Sequence, residues 1–116
     1  MNLLVILNDA PYGSERTYNG LRLATWSARQ PGVALKLFLI GDASACARKD
    51  QKVPIGYYNV ETMLTSIVRH GAAVGVCGTC MDARGMNDSD LVPGTHRGSM
   101  DELTAWTLEA EKVIGF

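Results

Sequence analysis

Ala72-Ala73-Val74-Gly75-Val76-Cys77-Gly78-Thr79-Cys80-Met81-Asp82-Ala83-Arg84-Gly85 decides how the rest of the chain is read. Its first five residues are apolar throughout, with β-branched Val74 and Val76, the pattern of a strand buried on both faces of a parallel sheet. Chain leaving such a strand emerges at the carboxyl edge of the sheet, where α/β proteins place their ligands. Here it emerges as Cys77, with Cys80 three residues on and a short helical turn closing at Arg84-Gly85. A helix beginning just after Cys77 turns backbone N–H groups and the positive end of its dipole toward the sulfur. Both favour thiolate over thiol. Arg84 adds a nearby cation. A reactive sulfur is expected where substrates arrive.

Working outward, the flanking segments alternate. Asn2–Leu7 reads as a first buried strand, ending in the turn formers Asn8-Asp9-Ala10-Pro11-Tyr12-Gly13. Ser14 is placed as the cap of a helix that runs to Ala28 and stops at Pro31-Gly32. Val33–Ile40 is a second strand, with Ala43–Ala47 a helical turn after it and Arg48–Tyr58 a long polar loop. Asn59 caps a helix to about His70 whose apolar face is Val60, Met63, Leu64, Ile67 and Val68. Beyond the cysteines, Val92–Thr95 is assigned a short strand despite Pro93 and Gly94. Ser99 and Glu102 form the pattern of a capping box, and Lys112–Phe116 is a last strand. The order β-α-β-α-β-α-β-α-β predicts an α/β three-layer sandwich: about five mostly parallel strands, helices on both faces, flavodoxin-like.

The 116 residues suit one domain spanning 1–116. A hydrophobic content of 47% with 20% charged residues is ordinary for a globular protein. A formal net charge of −1 gives no electrostatic case for nucleic acid or an anionic membrane. No apolar stretch approaches the roughly 20 residues needed to span a bilayer, and Leu3–Leu7 is too short for a signal peptide. The expected location is the cytoplasm. Three cysteines cannot form a complete internal disulfide framework, and in a reducing compartment Cys-x-x-Cys points to metal, redox or catalytic use.

Four uses of Cys77-Gly78-Thr79-Cys80 compete. The thiols can simply pack. A zinc site needs four ligands, and the pair supplies two, leaving Cys46, His70 and His96 to converge from a distance. Dithiol–disulfide exchange uses both sulfurs. A persulfide carrier needs one accessible thiolate of lowered pKa, with a neighbour able to release the cargo by forming a disulfide. Spacing leaves the last two open. Asn8, Asp9, Pro11, Tyr12 and Ser14 follow the first strand at the same sheet edge and are candidates to line a pocket with Cys77. His96 is a weaker acid/base candidate. Trp26 and Trp106 read as core or subunit interface rather than a cofactor box. No glycine-rich phosphate loop is present, which argues against a nucleotide, and no second ligand pair accompanies Cys77 and Cys80, so no cofactor and no resident metal are expected.

At these residues the chain resembles the DsrE/DsrF-like sulfur-relay family, and within it the small YchN-like group. The likeness is carried by Asn8-Asp9-Ala10-Pro11-Tyr12-Gly13-Ser14-Glu15 and Asn19–Ala24, by Leu37-Phe38-Leu39, Gln51-Lys52 and Gly56–Asn59, by Cys77–Cys80 with Asp82, Arg84 and Gly85, and by Trp106–Leu108 with Lys112-Val113. It covers essentially the full length. The resemblance implies the same five-stranded sandwich, a homo-oligomer (a hexamer), and sulfur donor and acceptor proteins as partners. Relatives of the group relay sulfur to tRNA thiolation and to dissimilatory sulfur oxidation. In them the cysteine at the strand end carries the persulfide, which maps onto Cys77. Cys80 is shared within the YchN-like group. The implied site is Cys77 and Cys80 as reacting groups, with Asn8, Asp9, Pro11, Tyr12, Gly78, Thr79, Arg84 and Gly85 around the substrate. The alternatives are a binding or regulatory module without turnover and a thiol–disulfide oxidoreductase.

Overall fold

The computed structural model describes residues Met1–Phe116. Five strands form one sheet: β1 (Asn2–Leu7), β2 (Ala34–Leu39), β3 (Ala73–Cys77), β4 (Thr95–Gly98) and β5 (Lys112–Gly115). Every pairing is parallel, in the order β4-β3-β2-β1-β5. The helices are α1 (Arg16–Ala28), α2 (Val60–Arg69), α3 (Gly78–Ala83) and α4 (Met100–Glu109). Two 3₁₀ turns, Gly41–Ala47 and Asp88–Asp90, complete the chain.

This order explains where the helices lie. Stepping from β1 to β4 always moves in one direction, so right-handed crossovers put α1, α2 and α3 on one face. The last crossover returns across the whole sheet to β5, which puts α4 on the other. The core divides accordingly. Val5, Leu37, Val74 and Val76 point into the large cluster with Leu21, Leu64, Ile67 and Met81. Leu4, Phe38 and Cys77, on the alternate positions of their strands, pack with Leu103 of α4 in a smaller cluster. A fully buried aliphatic side chain stabilises by about 1.5–3 kcal/mol, so the first face supplies most of the cohesion.

Local signals fare unevenly. Asn59 caps α2 as its position implies, its side chain accepting the Thr62 N–H at 3.1 Å. Ser14 stands one residue before the cap position of α1, its hydroxyl accepting the Arg16 N–H at a long 3.4 Å. The helix starts two residues later with Glu15 at the cap, and the Ser14 hydroxyl donates to Asp9 at 3.1 Å. The fourth strand is Thr95–Gly98 rather than Val92–Thr95. Pro93 and Gly94 (φ +90°) make the turn before it, and the Val92 N–H is spent on the Ala47 carbonyl. Half of the expected capping box forms: Ser99 accepts the Glu102 N–H at 3.2 Å. The Glu102 carboxylate turns instead to His96, with both oxygens 2.8 Å from Nε2. No helix is long and apolar enough to cross a membrane.

Candidate functional site

Cys77 is the last residue of β3 and the cap of α3, so its sulfur stands at the carboxyl edge of the sheet. Parallel pairing sets it beside Gly98 of β4. Its Sγ lies 3.4 Å from the hydroxyl of Thr79, the second residue of α3. Burial opposes charge on this sulfur, yet its pKa falls below the ordinary thiol value. The Cys80 thiol, the Thr79 hydroxyl and the N–H groups of both residues outweigh the burial by hydrogen bonding to the thiolate. Cys80 moves the opposite way. Burial and the neighbouring Cys77 sulfur raise its pKa, and the Gly41 N–H, 3.2 Å from its sulfur, and the Arg84 charge offset only part. The pair is thus unequal: Cys77 gives up its proton more readily than an ordinary thiol and Cys80 less readily.

A cavity of about 260 Å³ opens at Cys77. Cys77, Gly78 and Thr79 form one wall, Arg97 to Met100 the other, with Phe38 also lining it. Arg97 was not legible from spacing, because only the β3–β4 register brings it there. Its guanidinium donates to Asp82 at 2.7 Å and lies 3.6 Å from Asp88. Those carboxylates hold Arg97 in its charged form. A Cβ on Gly78 would stand 3.0 Å from Arg97 Nε, so the glycine is what lets the guanidinium close over the start of α3. On the α4 side, Glu102 Oε1 occupies space where a Cβ on Gly75 or Gly98 would intrude, at 2.7 and 2.8 Å. His96, expected only as an acid/base group, forms the other half of this half-buried pair and meets Trp106 edge-on at 5.9 Å.

The whole chain, residues 1–116, matches the DsrE/DsrF-like family. It is 38% identical over 115 residues to Protein YchN of Escherichia coli, covering 98% of this chain and 97% of that one. The chain belongs to the DsrE/DsrF-like family. The crystal structure of E. coli YchN superposes with a TM-score of 0.93 at 39% identity, covering 99% of this chain and 98% of the other. An uncharacterized protein of Methanocaldococcus jannaschii, MJ0989, is 36% identical over 116 residues, the full length of both. The protein MTH1491 of Methanobacterium thermoautotrophicum shares the fold alone, with a TM-score of 0.77 at 13% identity.

In this DsrE/DsrF-like chain the residues singled out by sequence fall into two groups. Cys77, Gly78 and Thr79 line the cavity, and Cys80 adjoins it through Cys77. Arg84 reaches back instead, donating to the Cys80 carbonyl at 3.0 Å and to Asp42 at 2.6 Å. Gly85, at φ +65°, ends α3 in the left-handed conformation that glycine tolerates best. Asn8, Asp9, Pro11 and Tyr12 lie outside the cavity lining. Asn8 donates to the Phe116 carbonyl at 2.9 Å, and Asp9 receives Ser14 and, through its carbonyl, Thr17. Tyr12 donates to Gln51 at 2.6 Å and accepts the Val60 N–H at 3.1 Å, pinning the long loop to the start of α2. Cys46 and His70 sit away from the cysteine pair, Cys46 in the large core and His70 at the end of α2. No group of three or more His, Cys, Asp or Glu side chains is placed to hold a metal ion.

Proposed function

We propose that this chain is a sulfur carrier in which Cys77 accepts a sulfane sulfur and hands it on. The observation that carries the reading is the asymmetry of the two thiols at the cavity: Cys77, which lines it, has its pKa lowered by hydrogen bonds to the thiolate, while that of Cys80 is raised. Membership of the DsrE/DsrF-like family supports it. In the loading step the Cys77 thiolate attacks the outer sulfur of a donor, a new S–S bond forms, and the donor's leaving group departs with the electron pair of the bond that breaks. Delivery to a nucleophilic acceptor is the same exchange in reverse sense. Where Cys80 intervenes, its thiolate attacks the Cys77 sulfur, closing a disulfide and releasing hydrosulfide. The donor and acceptor would be proteins or small molecules, and the place of action the cytoplasm.

A second reading is dithiol–disulfide exchange, favoured by the closeness of the two thiols, each of which shifts the pKa of the other. Intact mass spectrometry of the reduced protein before and after a sulfane-sulfur donor separates the two. A gain of one sulfur that persists in Cys80→Ser and vanishes in Cys77→Ser is the expected result. Loss of two hydrogens without added sulfur would replace it with the redox reading. No change in mass would leave a ligand-binding module, whose affinity should survive Cys77→Ser.

We propose further that the chain acts as a homo-oligomer, a hexamer by family likeness. In support, α4 alone covers its face of the sheet, leaving Ile6 and Ile40 half-buried and Val113 44% exposed there.

A further inference from the structure

We propose that Arg97 selects the charge of what reaches Cys77, so that the cavity takes a small anionic sulfur donor: an oxyanion bearing a terminal sulfane sulfur. The inference rests on the sulfur-carrier reading for its chemistry, but not for its geometry. Cys77 is only 7% exposed, so what reacts with it must enter the cavity. At about 260 Å³ the cavity lies just below the 300–1,000 Å³ typical of drug-sized ligands, which suits a small occupant. Arg97 lines it beside Cys77. The guanidinium carries five N–H donors, and one of its terminal nitrogens bonds Asp82. Its Nε, on the edge above Gly78, has no acceptor in the protein. Asp82 and Asp88, 62% and 71% exposed, lie on the solvent side as anchors that fix the plane of the group. The Ser99 and Thr79 hydroxyls add neutral donors on the two walls. No carboxylate is among the lining residues.

With both terminal nitrogens turned to Asp82 and Asp88, the Nε–H is the donor left without a protein acceptor, and a charge-assisted N–H beside a thiol of lowered pKa suits an oxyanion. With thiosulfate as the simplest such donor, the oxygens face Arg97 and the terminal sulfur faces Cys77. The Cys77 thiolate attacks that sulfur, the cysteine–sulfur bond forms, and the bond to the central sulfur breaks. Its electron pair leaves with sulfite. The products are the Cys77 persulfide anion and sulfite, with charge conserved and no oxidant or proton consumed.

The test separates charge selection from sulfur transfer. Iodoacetate and iodoacetamide are nearly the same size and differ in charge, and both alkylate thiolates. Rates at Cys77 would be followed by peptide mass in wild type, Arg97→Gln and Arg97→Lys. The iodoacetate-to-iodoacetamide ratio should fall roughly fivefold in Arg97→Gln, the size of one ion-pair contact in a largely aqueous setting, and the difference should shrink at high salt. Arg97→Lys should retain most of it. Equal ratios in wild type and Arg97→Gln would overturn the assignment. So would a lysine variant that matches glutamine, or a Cys77 that neither reagent reaches. Thiosulfate loading is then measured on the same proteins. A wild type that gains no sulfur from any donor yet keeps an Arg97-dependent ratio would sink the carrier reading and leave charge selection standing.

Discussion

The charge of a thiol is decided within a few ångströms, and the three cysteines show it. Cys77 and Cys46 are both buried, yet one has its pKa lowered and the other has it pushed up to about 12. Around Cys77 the donors of α3 outweigh burial. Around Cys46 burial dominates and the Thr17 hydroxyl offsets only part, while the thiol itself points to the Asp9 carbonyl at 3.9 Å. Cys46 is therefore a packing residue, and its signature is in stability. The folded thiol keeps its proton up to about 12, whereas the unfolded one releases it near its ordinary 9.0. The native state is favoured in full below pH 9.0, and that share of stability is lost as pH rises from there toward 12. Urea midpoints measured across this window should decline more steeply in wild type than in Cys46→Ala. Parallel declines would mean that Cys46 is less desolvated than its packing indicates.

The site is built at the level of the β3–β4 pair and the two helices that leave it. Gly75 and Gly98 lack side chains on the face where α4 lays Glu102, and His96 on the same strand as Gly98 holds that carboxylate. Ser99 starts α4 by taking the Glu102 N–H, so cap, carboxylate and cavity wall are one assembly. An alanine at Gly75 would bring its Cβ to 2.7 Å from Glu102 Oε1 and 3.0 Å from Phe38 Cδ2. We expect Gly75→Ala to destabilise by about 1–3 kcal/mol, as overpacking does, and to part Glu102 from His96. Gly115→Ala is the control, since nothing lies within 4 Å of its Cβ and its φ is not left-handed. It should be neutral or slightly stabilising through the unfolded chain. Chemical denaturation of the two variants side by side checks both. Similar costs for both would show that the glycines are not there for space.

Across the whole molecule the two faces of the sheet are unequal. Three helices seal one, with Leu21, Leu64, Ile67 and Met81 wholly buried against it. One ten-residue helix covers the other, and Ile6 of β1, Ile40 just past β2 and Val113 of β5 stay partly open beside it. Apolar surface left at a sheet face is the usual mark of an interface. Light scattering should accordingly give a particle several times the 12.5 kDa of one chain. A mass of one chain at micromolar concentration would remove the assembly proposed above, and leave the open face as solvated surface.

What the amino-acid sequence determined by itself is what acts over a helical turn or along one strand. The apolar rise to Cys77, the second thiol three residues later, the Asn59 cap and the alternation that makes the sheet parallel are all of this kind. The tertiary structure alone decided which side chains meet from different elements. Arg97 joins the cavity because Cys77 is registered against Gly98, one residue further along β4. Glu102 has the spacing of a capping box, but an imidazole across the turn competes for its carboxylate and wins it. Tyr12 stands at the expected sheet edge and turns to Gln51, thirty-nine residues away. The physical reason is common to all three. Local geometry is set by residues a few positions apart, whereas strand order and register are set by burial of the whole sheet, and they place at each side chain partners that spacing does not specify.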